Sequence, residues 1–206
     1  MRILTVDNAP WKASKGRRMA AKRVSPKRSS AAKSAAKKSV QGKAGQKPDG
    51  LGPGAKVGTK APPFTLPRDG GGSVSLADFA GHKLVLYFYP RADTPGCTTE
   101  AIDFSRIESA LRKTDAQVVG VSADPVPAQD KFKAKHKLAI TLASDEKRRM
   151  LEAYGVWQEK SLYGRKFMGI VRTTFLIGPD QRIARVWPKV SVAGHAEEVL
   201  AAAKAL

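Results

Sequence analysis

"LVLYFYPRADTPGCTTEAI", residues 84–102, holds the single cysteine of a 206-residue chain. Its first part, Leu84 to Tyr89, is a continuous apolar run of the kind that forms a strand covered on both faces. Its second part carries the signals of a helix start. Asp93 or Thr94 can act as N-cap, and Pro95 is favoured at the first helical position. The helix predicted from there spans about 95–113, with Ala101, Phe104, Ile107 and Leu111 on one stripe. Cys97 then falls in the first turn, where backbone N–H groups lack helical partners and the dipole is positive. That address favours a thiolate, the nucleophilic form of the side chain. A lone cysteine can equally be a small buried hydrophobe, and both readings stand at this level.

The pattern continues outward from this stretch. "AQVVGVSAD" (116–124) reads as a second buried strand, and "PVPAQDKFKAKHK" (125–137) as a helix with a solvated basic face. "LAITLAS" (138–144) reads as a short strand and "DEKRRMLEAYG" (145–155) as a helix stopped by Gly155. "GIVRTTFLIGPDQRIARVWP" (169–188) reads as two strands around a "GPDQ" turn, and "AGHAEEVLAAAKAL" (193–206) as a closing helix. Strands alternating with helices, then a late hairpin and a terminal helix, argue for an α/β sheet sandwiched by helices. "RDGGGS" (68–73) is a hairpin turn; no Lys-Ser/Thr follows to make it a phosphate loop. Trp157 and Trp187 sit in the apolar pattern and read as packing residues.

In "GIVRTTFLIG", alternation places Ile170, Arg172, Thr174 and Leu176 on one face. A guanidinium in so apolar a strand is costly to bury without an anionic partner. That partner is either a carboxylate at the strand end or the Cys97 thiolate.

The residues N-terminal to this region are of another kind. Residues 1–60 carry 16 Lys and Arg against Asp7 and Asp49, so most of the net +19 lies there. From Lys12 to Pro53 the large apolar residues are Met19, Val24, Val40 and Leu51. Too little surface could be buried to offset the entropy of ordering, and a disordered arm over 1–53 is expected, followed by a domain over 54–206. Met19 opens "MAAKRVSPKRSS" and offers an alternative start. The composition suits binding to DNA through counterion release, with contacts assigned to Lys22, Arg23, Lys27, Arg28, Lys33, Lys37 and Lys38 within residues 12–50. A solubilising tail or an organellar transit peptide fits the same composition.

Several classes are excluded or disfavoured. One cysteine cannot make an intramolecular disulfide, and there is no Cys-x-x-Cys pair for thiol–disulfide exchange. No Cys/His cluster has zinc-ligand spacing; His82, His136 and His195 read as surface or capping residues. No apolar run approaches the ~20 residues of a membrane span. Neither a cofactor nor a metal is expected. A single cysteine fits a reducing compartment, so the cytoplasm is expected, with nucleoid or nuclear association through the arm.

"YFYPRADTPGCTTEA" resembles the peroxiredoxin signature Pro-x-x-x-Thr-x-x-Cys, matched at Pro90, Thr94 and Cys97. The longer form resembles the peroxiredoxin Q or bacterioferritin-comigratory subfamily. "APPFTLPRDGGGSVSLADF", "VVGVSADPV", "LASD", "YGVWQEKSLYGRKFMGIVRTTFLI" and "VWPKVSVAGHAEEVL" extend the match over about residues 54–206. The resemblance implies a thioredoxin-like fold, a mixed sheet flanked by helices. It also implies a thioredoxin-dependent peroxidase in which Cys97 attacks hydrogen peroxide or an organic hydroperoxide.

Thr94 Oγ, the Arg172 guanidinium and the Cys97 N–H would then donate to the reacting oxygens. Pro90 would wall the pocket, and Glu100 would orient an arginine unless it is simply an exposed carboxylate at the helix start. Asp93 and Thr98 are read as structural. The resemblance also implies a monomer. The match departs at one position: many members carry a resolving cysteine five residues after the first, and Ile102 stands there. A one-cysteine cycle follows, with thioredoxin, glutaredoxin or a small thiol as external reductant. The alternative is a DNA-binding protein whose domain is a redox sensor or scaffold.

Overall fold

The computed structural model describes residues 55–162 and 164–206. The arm over 1–53 and its seven assigned contact residues lie outside them. A hairpin, β1 (Thr65–Pro67) and β2 (Ser73–Ser75), precedes the central strand β3 (Lys83–Phe88) and helix α1 (Pro95–Arg112). Then follow β4 (Ala116–Ser122), α2 (Val126–His136), β5 (Thr141–Ser144) and the short α3 (Arg149–Ala153). A second hairpin, β6 (Trp157–Leu162) and β7 (Arg165–Ile170), leads to β8 (Thr173–Ile177), β9 (Ile183–Trp187) and α4 (His195–Ala205).

Five strands form one mixed sheet in the order β5-β4-β3-β8-β9. β3, β4 and β5 run parallel, while β8 and β9 are antiparallel additions on the other side of β3. β3 is thus the middle strand, and its unbroken apolar run follows from that position. Leu84, Leu86 and Phe88 point into a core shared with Phe79, Met150, Leu151, Tyr154 and Phe175. Val85, Tyr87 and Tyr89 point the other way, into a core with Ala101, Phe104, Ile107 and Leu111 of α1 and Val199 of α4. The stripe read from the sequence is the buried face of α1. Gly120 of β4 lies directly under the Tyr87 ring; a Cβ there would come within 2.5 Å of it.

The strand expected from residue 169 onward is instead two strands separated by a break. The Val171 N–H bonds the Val156 carbonyl, and the Arg172 carbonyl accepts from the Val190 N–H. These backbone groups serve neighbouring segments, so the chain passes from the hairpin into the sheet at 171–172. In consequence Ile170 packs in the core with Phe88, whereas Leu176 packs with Tyr87; the two do not share a face. The expected helix over 145–155 is reduced to the five residues of α3. Arg148 takes a left-handed φ of 61°, and the buried Asp145 accepts from the Leu151 N–H, which fixes the start of the shortened helix. The hairpin β6–β7, which includes the charged residues Glu159, Lys160, Arg165 and Lys166, follows no apolar alternation that would announce it.

The basic face expected for α2 is only partly solvated. Phe132 is buried, and Lys133 pairs at 2.6 Å with the buried Asp69 in the β1–β2 turn. Among the described residues no helix is long and apolar enough to cross a membrane.

Candidate active site

α1 begins where β3 leaves the sheet. Thr94 is its N-cap, with extended φ and ψ, and Pro95 its first residue. The Thr98 N–H closes the first turn on the Thr94 carbonyl at 2.8 Å. Cys97 is buried at 2 % exposure, in the core of Tyr87, Tyr89 and Phe104. Its surroundings are not purely apolar. The Arg172 Nη2 lies 3.2 Å from Cys97 Sγ, and Nη1 of the same guanidinium donates to Glu100 Oε2. One arginine therefore joins the sulfur and a carboxylate one helical turn further on.

The two candidate partners of Arg172 are both real. The guanidinium can serve them together because it presents several donors in a rigid plane. Its position follows from the sheet. β8 pairs with β3 in the register Phe88↔Thr173, so Arg172 stands where the ladder would next meet Tyr89, beside the start of α1.

Glu100 is buried at 1 % exposure, not an exposed carboxylate at the helix start. Burial pushes its carboxyl up to about 7, against the opposing pull of Arg172. Its second oxygen and the Tyr87 hydroxyl are buried without a hydrogen-bond partner among the described residues.

Thr94 departs from expectation in one respect. Its hydroxyl donates to the Arg91 carbonyl at 3.0 Å, so the proton is committed to the loop. Thr94 Oγ is thereby left with acceptor capacity and not a free donor. Pro90 follows Tyr89 directly and is exposed, at the mouth of the loop 90–94.

That loop is held from below by a polar chain the sequence reading did not include. The Tyr89 hydroxyl donates to Gln129 Oε1, and Gln129 Nε2 donates to Ser122 Oγ at 2.8 Å. Ser122 Oγ donates to Asp124 at 2.8 Å, and Asp124 accepts from the Ala92 N–H at 2.7 Å. Asp93, with a left-handed φ of 58°, is clamped by Lys135 and His136 of α2, both at 2.7 Å. Asp124 ends the stretch read as the second buried strand, and nothing local pairs it with residue 92.

His195 is the histidine placed wrongly from sequence. It is buried beside Phe104 and Trp187, with Nε2 2.8 Å from Thr174 Oγ1. Burial lowers its pKa to about 4. His82 and His136 make surface contacts with Asp115 and Asp93. A cavity of about 650 Å³ between the segment Pro63–Pro67 and α3 contains none of these site residues. Among the described residues no group of three His, Cys, Asp or Glu is placed to hold a metal ion.

The chain that carries this geometry is similar to known proteins. The AhpC/TSA family matches residues 57–186. A putative peroxiredoxin bcp of Coxiella burnetii is 50 % identical over 145 residues, 70 % of this chain and 96 % of the relative. Peroxiredoxin Bcp of Bacillus subtilis is 43 % identical over 70 % of this chain and 92 % of its own. Among solved structures, peroxiredoxin Q of Xanthomonas campestris superposes with a TM-score of 0.67 at 45 % identity, covering 69 % of this chain and 90 % of that one. That protein has also been solved as two different cysteine-to-serine mutants, whereas this chain has one cysteine in all. The fold is thioredoxin-like, and the chain belongs to the AhpC/TSA family, in its Bcp or peroxiredoxin Q group of peroxiredoxins.

Proposed function

We propose that the protein is a thiol-dependent peroxidase that reduces hydrogen peroxide and organic hydroperoxides at Cys97, in a one-cysteine cycle completed by an external thiol. The observation that carries this reading is the Arg172 guanidinium, 3.2 Å from Cys97 Sγ and bound on its other side to buried Glu100. A salt bridge serving stability alone would not need the sulfur at its edge. The alkyl peroxide reduction activity named for the Xanthomonas campestris bacterioferritin comigratory protein supports the inclusion of organic hydroperoxides.

In the proposed cycle the Cys97 thiolate attacks one peroxide oxygen in line. The S–O bond forms, the O–O bond breaks, and the other oxygen departs carrying the electron pair. Charge moves from sulfur to that oxygen, so donors already aimed along the axis stabilise the transition state most. Arg172 and the first-turn N–H of Cys97 are those donors. Thr94 Oγ, its proton spent on Arg91, accepts from the peroxide O–H and orients it. Pro90, with its fixed φ, walls the entrance. Glu100 holds the guanidinium plane.

With no second cysteine in the chain, the sulfenic acid is attacked by an outside thiolate, releasing water, and a second thiol frees the mixed disulfide. Thioredoxin, glutaredoxin or a small thiol fits this role. The protein acts as a monomer in the cytoplasm.

The test is peroxide consumption by catalytic amounts of protein with each thiol system, compared with Cys97→Ser. Turnover in wild type and none in the variant is expected; oxidation once per molecule without recycling by any thiol would overturn the enzyme in favour of a sensor. Near-complete covalent dimer on non-reducing gels after peroxide would overturn the external-thiol route.

A second role is favoured by the charge of residues 1–60, net +14. That segment binds DNA through its phosphates, bringing the peroxidase to the polymer it guards. Deleting residues 1–50 should abolish retention on DNA, and affinity of the full chain should fall steeply with salt. Unchanged retention after the deletion would remove this role.

A further inference from the structure

The polar chain beneath the loop 90–94 is made of groups that a core otherwise avoids. Ser122 and Gln129 are wholly buried and Ser144 nearly so, and burying such groups is unfavourable unless each finds a hydrogen-bond partner. All three do, and their bonds converge on one residue. Gln129 Nε2 donates to Ser122 Oγ, which donates to Asp124 Oδ2 and accepts from the Asp124 N–H at 3.1 Å. Ser144 Oγ donates to the Asp124 carbonyl at 2.6 Å. Asp124 is therefore held on its N–H, its carbonyl and its carboxylate by residues of β4 and β5, with Gln129 of α2 behind them. A satisfied network of this kind rigidifies its members. The carboxylate makes one bond outward, accepting from the Ala92 N–H at 2.7 Å. The chain grips the loop a second time through the Tyr89 hydroxyl, so the two grips bracket Pro90 and Arg91.

Ala92 stands just ahead of the turn on which α1 starts. Asp93 follows with its left-handed φ of 58°, a conformation that a non-glycine residue keeps only where its surroundings hold it. Thr94, the N-cap, ties back to the Arg91 carbonyl through its hydroxyl and forward to the Thr98 N–H through its carbonyl. Gly96 then backs on the guanidinium. A Cβ there would stand 3.5 Å from Arg172 Nη2, the same nitrogen that lies 3.2 Å from Cys97 Sγ.

We propose that Asp124 is a positioning residue of the peroxide step: by fixing the Ala92 N–H it sets the turn 92–94 and keeps the Cys97 sulfur aligned with the Arg172 guanidinium. The inference rests on the peroxidase reading above. Asp124 acts through the backbone of the loop, not on the reacting atoms. In-line attack on an O–O bond tolerates little displacement, and a shift of about 1 Å set by a distant change can cost about 10²-fold in rate.

Alignment separates from general loosening because alkylation of Cys97 by iodoacetamide needs the thiolate but no donors along an O–O axis. The experiment measures the second-order rates of oxidation by hydrogen peroxide and of alkylation on the full chain. Wild type is compared with Asp124→Ala, Asp124→Asn and Asp124→Glu, each with a thermal melt. Asp124→Ala should oxidise about 10²-fold more slowly, while its alkylation falls by no more than about twofold. The amide oxygen of Asn has two lone pairs and can take both bonds of Oδ2, so Asp124→Asn should oxidise within about threefold of wild type. Asp124→Glu keeps the charge but carries the acceptor one methylene further, and should lose about tenfold. If Asp124→Ala does not fold, this order, Asn above Glu, is the deciding result. Unchanged oxidation in Asp124→Ala, or equal losses in oxidation and alkylation, would overturn the assignment. So would Asp124→Glu faster than Asp124→Asn, which would make the charge, not the position, the active property. Wild type inert toward hydrogen peroxide but readily alkylated would instead strike the peroxidase reading itself.

Discussion

The first turn of α1 and the hairpin β6–β7 are made of opposite materials. Around Cys97 the side chains of Tyr87, Tyr89 and Phe104 are fully buried, and the polar groups Arg172, Glu100 and Gln129 each find a specific partner. The hairpin holds Phe167 and Met168 out at 47 % and 50 % exposure, and its ion pair Lys166–Glu159 lies in solvent. In the buried half, position is set by packing on several sides, so a small change is felt at the sulfur. In the outer half, most side chains could change without the sheet noticing; Lys160 is the exception, because it is half-buried and its Nζ donates to the Ile170 carbonyl.

That contrast can be broken in order of expected effect. Cys97→Ser should abolish peroxide turnover altogether, since a hydroxyl is no nucleophile at its ordinary pKa; any surviving catalytic consumption would place the chemistry elsewhere. Phe104→Ala, beneath the Cys97 turn, should cost about 3–5 kcal/mol of stability in denaturant unfolding. A loss no larger than that of a surface substitution would mean that the packing around α1 is looser than drawn here. Arg172→Met should slow Cys97 oxidation about 10²-fold, or roughly 2.7 kcal/mol, the scale of losing one fixed donor to a developing oxyanion. A rate equal to wild type would detach the guanidinium from the reaction.

His195 tests the buried half by pH. Its pKa is about 4 in the folded protein, against 6.5 ordinarily, so the unfolded chain takes up the proton first as pH falls. The stability it contributes is complete above pH 6.5 and declines toward pH 4. Glu100 has the opposite slope: with a folded value of about 7 against 4.5, it lowers stability as pH rises between them. The stability difference between wild type and His195→Phe should therefore grow from pH 4 to 6.5 and then level off. A flat difference would mean that the imidazole is not held neutral. The smallest effect belongs to the outer half. Phe167→Ser and Met168→Ser should each change stability by no more than about 0.5 kcal/mol, and larger losses in unfolding experiments would show the hairpin to be part of the core.

The same contrast explains what could be read in advance. The apolar run of β3, the stripe of α1, the N-cap at Thr94 and the proline after it are local signals, and each fell where the pattern put it. The glycines of the β1–β2 turn, with φ between 70° and 83°, were legible for the same reason. Arg172 was legible because a lone cation in an apolar run needs an anion, though its strand was drawn through a break that only the Val156 and Val190 hydrogen bonds create. Glu100 stayed ambiguous because a carboxylate in a helix's first turns is as natural in water as in a core; its burial depends on Arg172, 72 residues away. The Tyr89–Gln129–Ser122–Asp124 chain and the burial of His195 join segments that nothing in the sequence brings together. The hairpin was missed because its strands satisfy one another and bury little, so they carry no alternation.

The contact of the Tyr87 ring with Gly120 has a consequence for how this sequence can drift. A methyl at 120 would strike the ring carbons as well as the hydroxyl, so removing the oxygen alone brings no relief. The two sites can vary only in concert, a slimmer residue on the central strand arriving with a bulkier one next door. Over evolutionary time they should behave as one inherited unit, and a homologue with alanine at the second site should carry something smaller than an aromatic at the first.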